Sequence, residues 1–240
     1  MQLLDFPLAL ILALAPALAG VRVAAWILPR ERRLPVLLGG GAALGVGMML
    51  FALMALLKVM PIAAAVIVAH SAFGLLAILG VAAVATRRFE WDVPKWRTVL
   101  GVALPALIFI GAGVDLASSV WNSSTFENLT VRMAMASHIA RSAWRVMDVY
   151  APDHVRLYRY ASQVWVASIV RLGGVGLYEA NLATVSISVL AIFGGFFAAL
   201  ARARSYLAGL LGGELFLTAG PANFTAFWRA LYGLPTLSGA

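Results

Sequence analysis

The chain has 240 residues, 62% of them hydrophobic and 12% charged, with a mean hydropathy of +0.93 and a formal net charge of +8. Soluble domains run at roughly 45–50% apolar and 25% charged, so this composition excludes a soluble globular fold and describes a polytopic membrane protein. The lack of cysteine excludes disulfides, thiolate metal sites and a thiol nucleophile. Positive charge in so apolar a chain is first a topology signal, and no nucleic-acid partner is expected.

A membrane span needs about 20 mostly apolar residues. The first such run, 6–28, ends its opening stretch like a signal peptide ("APALAG"). It has no basic leader, carries Asp5 and runs on through Trp26, so it reads as a retained span. Further runs cover 35–57, 61–86 and 99–120. The loops "PRERR" at 29–33 and "RRFEWDVPKWR" at 87–97 are basic, whereas "KVMP" at 58–61 has only Lys58. The positive-inside rule therefore places 29–33 and 87–97 in the cytoplasm and the N-terminus outside. Trp91, Trp96 and Trp121 stand where interfacial aromatic anchors are expected. Glycines in "GGGAALG" at 39–45 and "GG" at 194–195 permit close helix packing.

Residues 161–175 are apolar but contain Arg171 and end in "GGVG", which suits a juxtamembrane or re-entrant helix better than a span. The run 176–200 is a full span ending in "ARAR". Its Arg202 and Arg204 reach the cytoplasm only if 161–175 does not cross. A last run, 206–219, returns to the outside. The expected fold is an all-α, polytopic integral membrane protein with about six transmembrane helices plus an external amphipathic juxtamembrane helix. Its parts are a four-span N-terminal bundle (1–120), an external loop (121–175), and two further spans with an external tail (176–240).

The external loop carries most of the chemistry. Ser124 and Glu127 have the spacing of a capping box, which starts a helix near Thr125. Leu129, Met133, Ala136, Ala140, Ala143 and Met147 recur at three- and four-residue steps, while His138, Arg141, Arg145 and Asp148 share another face. Such a helix lies in the outer interface with its apolar side toward acyl chains. "YAPDHVRLYRY" adds Asp153, His154, Arg156 and Arg159. Guanidinium forks match phosphate, so His138, Arg141, Arg145, His154, Arg156 and Arg159 are the expected lipid-phosphate ligands. The plainer expectation is an interfacial helix whose arginines touch the phosphates of ordinary membrane lipids.

From residue 121 onward, the order "SHIARSAWRVMD", "LYRYASQVWVASIVRLGGV", "EANLATVSISVLAIFGGFFAALARAR", "YLAGLLGGELFLTAG" resembles the N-terminal portion of the GT-C superfamily of integral-membrane glycosyltransferases. In that family a span is followed by an external loop with an interfacial helix, a tyrosine-rich stretch, a short juxtamembrane helix and a span with a basic end. The resemblance implies a polyprenyl-phosphate-linked sugar donor, with an acid near the start of the loop as base or metal ligand. Alignment on "IARS" puts Arg132 where that acid is expected, so the family's acidic motif is not matched. Asp148 and Asp153 are the catalytic candidates left by the resemblance, which assigns no metal and no further cofactor.

Elsewhere, His70 sits mid-span in "VIVAHSAFG", where a helix-packing hydrogen bond is the leading expectation over haem ligation. Asp115, Glu179 and Glu214 lie in or beside spans, and Glu214 must be paired, protonated or facing a cavity. The sites Asn122, Asn128 and Asn223 match the glycosylation pattern on the expected outer side. "GGGAALG" lacks the strand and the Lys-Ser/Thr of a phosphate-binding loop. Two functions are expected from different classes. One is a GT-C-like protein, in one form a degenerate glycosyltransferase, that binds a polyprenyl-phosphate-type lipid at its external face. The other is a non-catalytic accessory subunit whose small-residue seam at 39–45 docks onto partner membrane subunits. A transporter would show a broken-helix pair or an inverted repeat, and neither is visible.

Overall fold

A computed structural model describes residues 5–86, 125–141 and 161–218, and every element among them is helical. They are α1 (Asp5–Ile27), α2 (Leu34–Leu56), α3 (Ile62–Thr86), α4 (Thr125–Arg141), α5 (Ala161–Gly173), α6 (Leu177–Ala203) and α7 (Tyr206–Thr218). Four of these, α1, α2, α3 and α6, are long and apolar enough to cross a membrane, with 23, 23, 25 and 27 residues. The chain is a multi-pass membrane protein. The expected run 99–120 lies outside the described residues. Of the expected last run, 206–219, α7 describes the 13 residues Tyr206–Thr218, and the chain after it lies outside the described residues.

Glycine decides how the spans pair. Inside a bilayer the lipid is as apolar as the helices, so association depends on close van der Waals approach, which small residues allow. A Cβ on Gly20 would lie 2.6 Å from the Cα of Gly45, and one on Gly41 would lie 2.7 Å from the backbone nitrogen of Val21. Gly45 itself abuts the Pro16 carbonyl. These contacts seat α2 antiparallel on α1. On its other side α2 meets α6, where a Cβ on Gly39 would lie 2.9 Å from the Cα of Gly194 and one on Gly195 would lie 2.8 Å from the Ala43 side chain. Gly80 rests on Leu18, which sets α3 parallel to α1. Gly209 and Gly213 fold α7 back along α6 at Ala201 and Phe193.

The seam at 39–45 is thus covered by the chain's own helices, α1 on one side and α6 on the other. That replaces the expectation that these glycines form an outward docking face. Large apolar side chains such as Ile11, Phe51, Ile67, Ile78 and Leu190 remain exposed along the outside of the spans, as lipid-facing surfaces require.

α1, α3 and α6 therefore run one way, and α2 and α7 the other. The ends where α1 and α6 finish and α2 begins are tied directly, because Arg33 Nη1 donates to the Ala201 carbonyl at 3.0 Å. Glu31 accepts from both Nε and Nη2 of Arg33 at 2.8 and 2.9 Å. That forked pair holds the Glu31 carboxyl below its ordinary value of 4.5.

Candidate functional site

α5 is the element that organises the other end of the bundle. Its 13 residues are too few to cross, yet Val164, Trp165, Ala167, Ser168 and Ile169 are all at most 1% exposed. The helix packs among the spans, and those side chains are covered by protein. Its polar side chains need internal partners there, since hydrocarbon offers none. Ser168 Oγ donates to the Trp165 carbonyl at 2.7 Å and lies 2.8 Å from His70 Nε2. The serine oxygen and the imidazole nitrogen form a hydrogen bond whose direction is set by the imidazole tautomer. His70 lies eight residues into α3, about 12 Å along the axis. It makes the interhelical hydrogen bond that its mid-span position calls for.

α5 ends where Gly174 adopts a positive φ of 62° and its N–H donates to the Val170 carbonyl at 2.9 Å. Glycine takes this left-handed turn without the Cβ penalty. The short link that follows delivers the chain to α6, whose first turn carries the buried Glu179 against the backbone of Gly176. A carboxylate there complements the positive end of the helix dipole.

α4 packs over α5 through Met135, Ala136 and Ile139, which are at most 2% exposed. The buried side of its described portion centres on these three residues. Of the stripe read from sequence, Ala136 is buried and Met133 and Ala140 are half-buried, while Ile139 stands outside that stripe. Protein, and not acyl chains, covers this side. Helical periodicity is a signal that could find Ile139, which stands one turn from both Met135 and Ala136, but His138 and Arg141 draw the polar face too close to it.

Near the last described residue of α4, an arginine of α5 meets the α4 backbone beside Arg141. Arg171 reaches back from α5 and donates through Nη1 to the Ala140 carbonyl at 3.0 Å. Arg141, the next residue, donates from Nη2 to Ser137 Oγ at 2.6 Å and from Nε to the Ser137 carbonyl at 3.3 Å. Both guanidiniums are exposed, and His138 lies half-buried one turn earlier. Arg171 is absent from the phosphate ligands expected from sequence, because only the folding of α5 against α4 brings it beside Arg141.

The other expected site residues, Arg145, Asp148, Asp153, His154, Arg156 and Arg159, lie outside the described residues, as do Asp115, Asn122 and Asn223. Arg132, Glu127 and Asn128 fall on α4, and Glu214 on the last turns of α7. Among the described residues, no group of three His, Asp or Glu side chains is placed to hold a metal ion. No protein-family model, curated protein or solved structure matches the chain.

Proposed function

We propose that this membrane protein binds the phosphate of a membrane lipid, of the polyprenyl-phosphate type, at the end of the bundle where α4 closes over α5. The observation that carries the reading is that Arg171 of α5 donates to the carbonyl of Ala140, the residue next to Arg141 on α4. Arg171 stands on a helix locked into the bundle by fully buried residues, so its guanidinium is presented from a rigid base, which is what a preorganised anion site requires. His138 is one turn away, and the chain continues from Arg141 toward Arg145, Arg156 and Arg159.

In this reading residues 121–175 lie on the non-cytoplasmic side, because the opposite end of the bundle holds the denser arginine cluster. The GT-C resemblance supplies the further step, transfer of a sugar from the bound lipid phosphate, with Asp148 or Asp153 as the acid. The accessory-subunit reading loses its named docking surface to α1 and α6.

The test is native mass spectrometry of the protein extracted gently from its own membrane, wild type against Arg141→Gln/Arg171→Gln. A polyprenyl phosphate retained by the wild type and lost from the variant is the expected result. Equal retention by both, or a stable larger complex carrying no such lipid, overturns the proposal, and the second outcome makes the chain a subunit.

A further inference from the structure

The end of the bundle away from α4 and α5 gathers charge from two segments that are 168 residues apart, joined by the Arg33 to Ala201 hydrogen bond. Arg22, Arg30, Arg32, Arg33, Arg202 and Arg204 meet there, with Glu31 as the one acid among the described residues at this end. Glu31 is engaged by both arms of the Arg33 guanidinium. Its charge is engaged first by Arg33 and also by Arg202 across the two segments, and one carboxylate among six arginines leaves this end strongly positive. Arg22, Arg30, Arg32, Arg202 and Arg204 are exposed.

We propose that this end is a docking surface for anionic phospholipid headgroups, in which the 29–33 loop and the α6–α7 junction act as one site. Positive charge alone would suit any polyanion, and two neighbours decide for lipid. Trp26, in the last turn of α1, is 79% exposed. An indole at the end of a span is at home in the headgroup layer, where its ring is apolar and its N–H is wet. Arg22 is exposed five residues before the end of α1, inside the apolar stretch, and its aliphatic stem lets the guanidinium rise to the same layer. A soluble polyanion would contact the loop arginines and leave Trp26 and Arg22 unexplained. A membrane leaflet covers all of them.

The site is independent of the one proposed at α4 and α5, since it occupies the opposite end of the bundle. The experiment uses the full chain in phosphatidylcholine vesicles doped with spin-labelled phosphatidylglycerol, reading the motionally restricted fraction against spin-labelled phosphatidylcholine. The wild type is expected to prefer phosphatidylglycerol, and added salt should weaken the preference. Each arginine near an anionic surface is worth about fivefold in affinity. Because one site needs both segments, either Arg30→Gln/Arg32→Gln or Arg202→Gln/Arg204→Gln should remove most of the selectivity.

No selectivity in the wild type, or selectivity untouched by both variants, overturns the proposal. Halving by each pair, with full loss only when all four are changed, shows two separate patches and overturns the single site. Loss of the selectivity in Arg141→Gln/Arg171→Gln, with both of the other variants unaffected, would place the surface at α4 and α5 and overturn the proposal.

Discussion

His70 Nε2 and Ser168 Oγ lie 2.8 Å apart and join α3 to α5 across 98 residues of sequence. Ser168→Ala strands His70 Nε2 in a buried position, and an unmade buried hydrogen bond costs about 1–3 kcal/mol. His70→Leu/Ser168→Ala removes both partners and should recover part of the loss. The coupling between the two positions should come out near the ~0.6 kcal/mol typical of membrane interhelical bonds. Thermal denaturation of the four members of the cycle in one detergent measures it, and zero coupling would show that the two groups do not bond.

Trp165 is 1% exposed, and its indole Nε1 has no acceptor among the described residues. Trp165→Phe keeps most of the ring packing and deletes the unpartnered donor, so its stability should match or exceed that of the wild type. Trp165→Ala leaves a cavity and should cost about 3–5 kcal/mol. Unfolding midpoints in micelles separate these outcomes. A Phe variant as damaged as the Ala variant would mean that the indole N–H has an acceptor after all.

The glycines differ sharply in what they tolerate. Gly39→Ala and Gly45→Ala force the α2 backbone away from α6 and α1, and overpacking of this kind costs about 1–3 kcal/mol. Gly47 has nothing within 4 Å of an added Cβ. Gly47→Ala should therefore be neutral or stabilising by up to about 1 kcal/mol through helix propensity. The three variants compared by heat-induced aggregation should rank Gly47→Ala above both of the others.

Arg33 holds the folded Glu31 carboxyl below its ordinary value of 4.5, first through the side-chain hydrogen bond. A lowered folded value means that the contribution is fully present above about pH 4.5 and is lost as pH falls through the folded value. Wild type should exceed Glu31→Gln by about 1 kcal/mol near neutral pH. The gap should close below pH 4.5, because protonation makes the two side chains alike. A constant gap from pH 7 to pH 3 would show that Glu31 does not act through its charge.

Much of the frame is legible in the order of residues. The apolar runs 6–28, 35–57, 61–86 and 176–200 correspond to α1, α2, α3 and α6 within three residues at each end, because a bilayer demands long uninterrupted apolar stretches. The glycine clusters are legible as packing seams, and Gly39 does meet Gly194. What they pack against is not legible. A transmembrane helix is apolar all round, so no hydrophobic face distinguishes Gly39 on α6 from Gly47 on lipid. The burial of α5 is hidden for a related reason: a 13-residue apolar segment reads the same whether it lies on a membrane or inside a bundle. Within the candidate site, His138 and Arg141 stand out as charge on a helix. Arg171 becomes a neighbour only through the α4–α5 contact, which sequence spacing does not encode.

The hydrogen bond from Arg33 to Ala201 spans 168 residues, and that separation sets a timetable for synthesis. At about 5–20 residues per second, the surface of α2 that will receive α6 waits roughly 8–30 seconds between its own emergence and the arrival of its partner. Throughout that interval Gly39 and Ala43 face lipid or whatever insertion factor shields them, while α1, already present, holds the opposite side. A slowed ribosome between α3 and α6 would lengthen the vulnerable period without changing the finished protein. The yield of folded chain should thus respond to elongation rate as well as to sequence.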